Sequence, residues 1–365
     1  MVVYKSSKLN KTRTTTSFRK KQAKQTKKLK QSKKQKQILS KQEFDVLDYP
    51  FRNIEIDKKE MKAHFNELKT YKGKILNYNP SKRYIEKYKH KSFVVYLEHY
   101  DRNKDLTSIT DYFSDKCRMK CVFNLREEKS IHALFQQNKK LIIEDFSKKK
   151  LDLTLYNIKE YLFKHHNQCT NFNTTMVMNI MNLFKPKRWL DCSAGWGDRL
   201  VGAIAYGKCE YQGVDPNKCM RPIYKEIIKD LATKKEQKKY SVICDGFENV
   251  KLKDAYYDLV FTSPPFFNLE IYENESAQSI EQFNTVDKWK HGFLFPLLKK
   301  SYKSLELNGH LALYITDFKG SNYIKEMKHY IRKKIKGFKY EGDIHWWYKE
   351  SPKNIRTVYI WKKIR

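Results

Sequence analysis

The chain has 365 residues, room for one large domain or two modest ones, and 40% of them are hydrophobic, enough for a core. Its formal net charge is +34, from 75 Lys+Arg against 41 Asp+Glu. That excess points to a polyanionic partner, nucleic acid first. No run of about 18 apolar residues and no signal-like start occurs, so neither a membrane span nor secretion is expected.

Residues 1–42 hold fifteen Lys/Arg and no acidic residue before Glu43, leaving +19 on the rest of the chain. This Lys/Gln/Ser/Thr tail is expected to be disordered. A nucleic-acid-binding arm, a nuclear import signal and a solubilising tail all fit it. Seven scattered cysteines, an odd number, read as free thiols of an intracellular protein. Cys117 and Cys121 are four apart but lack a second ligand pair, so no metal site is expected. His165-His166 is likewise an isolated pair, expected on a solvated helix face.

Residues 43–165 form a smaller N-terminal α+β region, with no glycine-rich loop and no repeat. Short strands are expected over residues 93–97, 120–123 and 149–155, and helices over 58–69 and 130–138. Aromatics lie among lysines here: Tyr71, Tyr78, Tyr84, Tyr88, Phe93, Tyr96 and Tyr100. The pattern suits base stacking with phosphate contact, and equally a small core with a charged surface.

From residue 166 to 365 strands alternate with helices. Strands are expected at 189–192, 211–214, 240–244, 258–262 and 310–316, with helices over 198–206, 220–232, within 287–305 and over 322–335. Two closing strands, 338–343 and 357–361, have no helix between them. The alternation implies a mostly parallel sheet covered on both faces, and the closing pair implies a last strand that runs antiparallel.

In such sheets ligands bind at the carboxyl ends of the strands. The first end reads Asp191-Cys192-Ser193-Ala194-Gly195-Trp196-Gly197. Its glycines let a backbone approach a ligand closely, and the next helix offers free N–H groups. Leu200 stands where a pyrophosphate loop would want a third glycine, which disfavours a dinucleotide. At the second end, the Asp215 carboxylate can accept from both hydroxyls of a ribose. At the third, Asp245 can accept from an adenine amine, with Phe247 available to pack on the ring. Each aspartate alone could be a helix N-cap; three at consecutive strand ends argue for a site. The fourth strand runs into Thr262-Ser263-Pro264-Pro265-Phe266. Proline cannot donate to a ladder, so the strand stops there and leaves a stiff turn with free carbonyls. A hydroxyl before it and a ring after it make a clamp for a planar exocyclic amine.

Asp191-x-x-x-Gly195-x-Gly197, Asp215, Asp245 and Ser263-Pro264-Pro265-Phe266 together resemble the S-adenosylmethionine-dependent DNA amino-methyltransferases, of adenine-N6 and cytosine-N4 type. The stretches 193–200 and 261–272 are similar to phage and large-DNA-virus members, and the resemblance spans roughly residues 168–362. It implies a Rossmann-like methyltransferase sheet, S-adenosylmethionine as cofactor, and a nucleic-acid substrate, DNA ahead of RNA. It implies Asp191, Ser193, Gly195, Gly197, Asp215, Asp245 and Phe247 as cofactor-binding residues. Thr174 joins them, because the family's segment just before the first strand falls on residues 171–175. Ser263, Pro264, Pro265 and Phe266 would be the catalytic clamp, with Phe266 stacked on the base and Glu270 and Tyr272 just beyond it. Target recognition falls by elimination to residues 43–165. Nucleus, cytoplasm or a viral factory would be the compartment.

Ser263 departs from the Asp or Asn common in adenine enzymes, and Phe266 from the usual Tyr, so the clamp does not name the base; adenine is favoured on frequency. An RNA-base methyltransferase shares nearly all these features. A protein-glutamine methyltransferase normally carries Asn at the clamp's first position. A catalytically dead scaffold would be expected to have lost Gly195 or Ser263.

Overall fold

A computed structural model describes residues 37–49, 56–73, 75–76, 93–97, 106–123, 129–272, 278–317, 321–348 and 351–365. The expected arm over residues 1–36 lies outside them, as do Tyr78, Tyr84, Tyr88 and Tyr100. The tail expected as far as residue 42 is already folded at its end. Ile38 bridges Thr154, and the Ser40 hydroxyl accepts from Glu43 N in a capping box that opens α1 (Lys41–Asp45).

The N-terminal part continues with α2 (Lys58–Lys69), β1 (Ile75–Leu76), β2 (Phe93–Leu97), α3 (Ser108–Arg118) and β3 (Val122–Phe123), then α4 (Ile131–Gln137), α5 (Lys139–Lys148) and α6 (Leu155–His165). The strand expected over 149–155 does not form. Lys150 turns the chain at φ +50°, and the Thr154 hydroxyl accepts from Asn157 N to cap α6. A threonine before an amphipathic run is worth more as a cap than as a strand residue.

The second part runs α7 (Thr174–Phe184), β4 (Arg188–Asp191), α8 (Asp198–Tyr206), β5 (Glu210–Val214), α9 (Met220–Leu231), β6 (Tyr240–Ile243), β7 (Tyr257–Thr262) and β8 (Glu270–Ile271). After α10 (Ser279–Gln282) and α11 (Val286–Trp289), a π-helical turn over Lys290–Leu294 leads into α12 (Phe295–Ser304). Pro296 cannot donate to the carbonyl one turn back, and the wider turn accommodates it. β9 (Leu305–Tyr314), α13 (Tyr323–Lys334), β10 (Phe338–Tyr348) and β11 (Ser351–Lys363) complete the chain.

Nine strands form one sheet in the order β1-β2-β10-β11-β9-β7-β4-β5-β6. β6, β5, β4, β7 and β9 are parallel neighbours, and β11 runs antiparallel to both β9 and β10. This is the Rossmann-like methyltransferase arrangement: the chain starts in the middle, reverses between β4 and β7, and inserts its last strand, antiparallel, before β10. β2 adds to β10 in parallel, so the N-terminal part extends the same sheet.

Successive strand residues face opposite sides, and the core divides accordingly. Trp189, Leu259 and Phe261 pack on α7, α8 and α9. Leu190, Val260, Leu311 and Leu313 pack on α12 and α13. The first of these cores does not stop near residue 165, since Met61, Phe65, Ile109 and Phe113 belong to it.

Four of the cysteines expected as free thiols are paired. Cys117 at the end of α3 bonds Cys219 before α9, and Cys121 bonds Cys169 before α7. Cys192, Cys209 and Cys244 take no part in a disulfide. Both bonds tie the α3 region to segments beside the strand ends. The Cys117–Cys219 bond spans 102 residues, and closing such a loop is worth about 4–5 kcal/mol. Cys117→Ser with Cys219→Ser is expected to lower the unfolding free energy by that order, read as a drop in denaturation midpoint. Dithiothreitol, which reduces Cys121–Cys169 as well, should lower the midpoint of the unmutated protein at least as far.

Candidate active site

The site is built where the sheet reverses between β4 and β7. Asp191 ends β4 fully buried. Its Oδ2 accepts from Arg199 Nε and from the Tyr211 hydroxyl, each at 2.8 Å, and its Oδ1 accepts from Ser193 N at 3.3 Å. Arg199 also donates to the Ser193 carbonyl and lies over the Phe172 ring. These bonds shape the loop that follows β4. Gly195 and Gly197 sit at φ +59° and +94°, a region open to glycine. A Cβ on Gly197 would meet Ile227 Cδ1 at 2.8 Å. The Tyr224 hydroxyl donates to the Gly195 carbonyl and holds the loop from the α9 side.

Asp215 follows β5. Its Oδ2 accepts from Gly195 N at 2.7 Å and its Oδ1 from Asn217 N at 3.0 Å. Burial pushes its carboxyl up to about 6, against the pull of those two backbone donors. After β6, Asp245 turns back on its own loop, accepting from Gly246 N and Asn249 Nδ2. Lys300 Nζ, reaching from α12, donates to the Phe247 and Glu248 carbonyls at 2.6 and 3.0 Å and fixes that loop.

β7 delivers Ser263. Pro264 is buried and Pro265 half-buried. Phe267 then adopts φ +55°, a conformation that costs a non-glycine residue on the order of 1–2 kcal/mol. The two rings separate there. Phe266 packs edge-on against Tyr314 at 5.6 Å, and Phe267 against Trp289 at 6.1 Å. Beyond the turn, β8 pairs antiparallel with β3, Glu270 opposite Phe123. Glu270 Oε1 accepts from Thr170 N at 3.2 Å. Its carboxyl lies above the ordinary range, chiefly through burial and against the Thr170 and Tyr272 hydrogen bonds.

One cavity joins these strand ends. Ser193, Gly195, Asp215, Phe247, Ser263, Pro265, Glu270 and Tyr272 line it, together with Trp196, Glu248, Phe267 and Gln278. Trp196 and Tyr272 meet edge to face at 5.5 Å. Asp191, Gly197, Asp245, Pro264, Phe266 and Thr174 are not among its lining residues. Asp191 acts behind the wall through Arg199, Asp245 makes a turn, and Thr174 is fully buried at the start of α7. The segment 171–173 is held from α8 and α3. Phe172 N donates to Asp198 Oδ2 at 3.1 Å, and Asn171 Nδ2 donates to Asp111 Oδ1.

Arg199, Lys300, Phe267 and Gln278 were not singled out by the sequence. Arg199 left one trace, a charge among the apolar residues of α8. The other three left none, because their partners are fixed only by the fold.

The sequence matches no protein-family model, and no curated protein matches it. Among solved structures the chain is similar to TrmN from Thermus thermophilus, at 11% identity over 53% of this chain and 49% of that one, with a TM-score of 0.39. It is also similar to a methyltransferase from Pyrococcus furiosus, at 16% identity over 53% and 84%, TM-score 0.34. A third is the 1,6-didemethyltoxoflavin-N1-methyltransferase of Burkholderia thailandensis with bound S-adenosylhomocysteine, at 12% identity over 53% and 78%, TM-score 0.37. The chain spans about half the length of TrmN. The fold class stands on the strand order, and these likenesses assign no residue roles.

Removing one partner of a buried ion pair strands the other charge, at about 3–5 kcal/mol. Arg199 and Asp191 are 5% and 0% exposed. Arg199→Ala is therefore expected to destabilise the fold by that amount in urea denaturation, far more than Arg221→Ala on the exposed face of α9.

Proposed function

We propose that the protein transfers a methyl group from S-adenosylmethionine to the exocyclic amine of a nucleobase, adenine N6 ahead of cytosine N4, in DNA ahead of RNA. The observation that carries this reading is the cavity shared by Asp215, Phe247 and Gly195 on one side and Ser263 and Pro265 on the other.

The residues suit the cofactor. The left-handed glycines bring the backbone of the β4 loop to the cavity wall. The Asp215 carboxylate, held by two backbone donors, keeps lone pairs for ribose hydroxyls. The Phe247 ring offers an apolar face to adenine. S-adenosylmethionine supplies an electrophilic methyl group on a sulfonium sulfur.

A base amine is a poor nucleophile because its lone pair is delocalised into the ring. The Ser263 hydroxyl oxygen and the Pro264 carbonyl accept its two hydrogens and favour a tetrahedral nitrogen. The amine nitrogen then forms the new N–C bond as the S–C pair returns to sulfur, and one amine proton leaves to solvent. Positioning and preset dipoles supply the acceleration, and no covalent intermediate is needed. Trp196, Phe267 and Tyr272 give the pocket aromatic walls, a place taken in the sequence reading by Phe266. The base leaves its stack to enter, at a cost of roughly a few kcal/mol. The basic surface and N-terminal tail offset that cost through phosphate contacts.

Mass spectrometry of nucleosides from DNA and RNA treated with the protein and labelled cofactor tests the reading. N6-methyladenine in DNA is the expected product. Product in RNA alone moves the substrate class, and none in either rejects the proposal. Ser263→Ala is expected to keep cofactor affinity and lose methyl transfer at least a hundredfold, on the scale of one preset hydrogen bond. Asp215 gives a pH signature. Its ionised form accepts the ribose hydroxyls, so cofactor affinity should fall as pH drops through about 6. Calorimetric titrations between pH 8 and pH 5, values chosen as about two units above and one below that carboxyl, should show the fall and lose it in Asp215→Asn.

A further inference from the structure

The clamp has acceptors for the amine, but a base has a second feature on the same edge. Beside the amine of adenine lies N1, and beside that of cytosine N3; both are acceptors and need a donor. Gln278 lines the cavity with Ser263, Pro265 and Glu270 and is 8% exposed. Its Oε1 accepts from Tyr272 N at 2.9 Å. A backbone N–H bonds only to the oxygen of an amide, so this contact fixes which end is nitrogen. Nε2 is buried and has no hydrogen-bond partner among the described residues. An amide nitrogen left so costs about 1–3 kcal/mol, and a buried group of this kind calls for a ligand or a water.

We infer that Gln278 reads the target base, its Nε2–H donating to the ring nitrogen beside the reacting amine, N1 in adenine. The inference rests on the nucleobase reading above. It adds a specificity residue outside the clamp. A donor at that position pairs with adenine N1 or cytosine N3 and opposes guanine, whose N1 carries a hydrogen. Glu270 does not supply this donor, because its carboxyl is engaged by Thr170 N and by Tyr272. The Tyr272 contact makes Gln278 a brace for the pocket as well, so the test must separate bracing from reading.

The test uses full-length protein and the oligonucleotide that the wild type methylates, carrying either adenine or 1-deazaadenine at the target. If the product is methylcytosine, 3-deazacytosine takes its place. Wild-type kcat/KM is expected to fall about tenfold to a hundredfold on the deaza base, the worth of one buried hydrogen bond. Gln278→Glu keeps an acceptor for Tyr272 N and removes the donor. It should lose a similar factor on the natural base, lose little more on the deaza base, and bind S-adenosylhomocysteine with unchanged Kd. Wild-type activity of Gln278→Glu on the natural base overturns the inference. So do two losses that multiply, which would make Gln278 a brace alone. If the wild type methylates no nucleobase, the function proposed above fails and this assignment falls with it. Methylation with independent losses leaves that function standing and removes Gln278 alone.

Discussion

Two opposite charges lie out of water at the carboxyl end of β4. Isolating either would cost several kcal/mol, so the pair must stay together. Arg199 comes from the first turn of α8, and Asp191 from the strand before it. Holding them 2.8 Å apart leaves the seven intervening residues little freedom. The loop must turn tightly, which is why left-handed glycines occur within it. Tyr211 on β5 joins the same carboxylate, so neighbouring strands are locked in depth. Asp215, one residue beyond β5, is thereby set to accept from Gly195 N. The cavity wall is a consequence of this buried pair, although neither charge lines the cavity.

Local signals made much of the fold legible in advance. Short strand-like stretches set between helical ones marked β4, β5, β7 and β9. The Ser-Pro-Pro run marked the end of β7, since proline cannot continue a ladder. Asp215 and Ser263 were visible as polar residues where strands stop. Asp191 and Asp245 carried the same local signal, yet one anchors an arginine and the other closes a turn. An aspartate after a strand has three uses, and only its surroundings choose among them. Phe266 shows the same limit. Whether it or Phe267 faced the cavity depended on one positive φ, which no residue type announces.

Long-range pairings were the least legible. Cys117 and Cys219 are separated by 102 residues, and no spacing rule joins them. Lys300 meets the loop after β6 from more than fifty residues away along the chain. The pairing of β3 with β8 joins two residues from each partner, too few to carry a pattern. Each of these contacts links the N-terminal part or α12 to a strand end. The polar residues at the strand ends were therefore easier to find in the sequence than the contacts that hold them still.

The β3–β8 pairing sets the manner in which this protein can vary. The turn after Ser263 is hydrogen-bonded to a strand from the N-terminal part, and two disulfides fasten the same neighbourhood. The boundary near residue 165 is then a seam in the sequence and not in the solid. Residues 166–365 cut away would bare the α7–α8 face and the edge of β10, and would lose the strand that steadies Glu270. An N-terminal part fastened in this way cannot be exchanged like a cartridge. A change in the shape of the cavity wall would have to arise in place, by substitutions on both sides of the β3–β8 ladder at once.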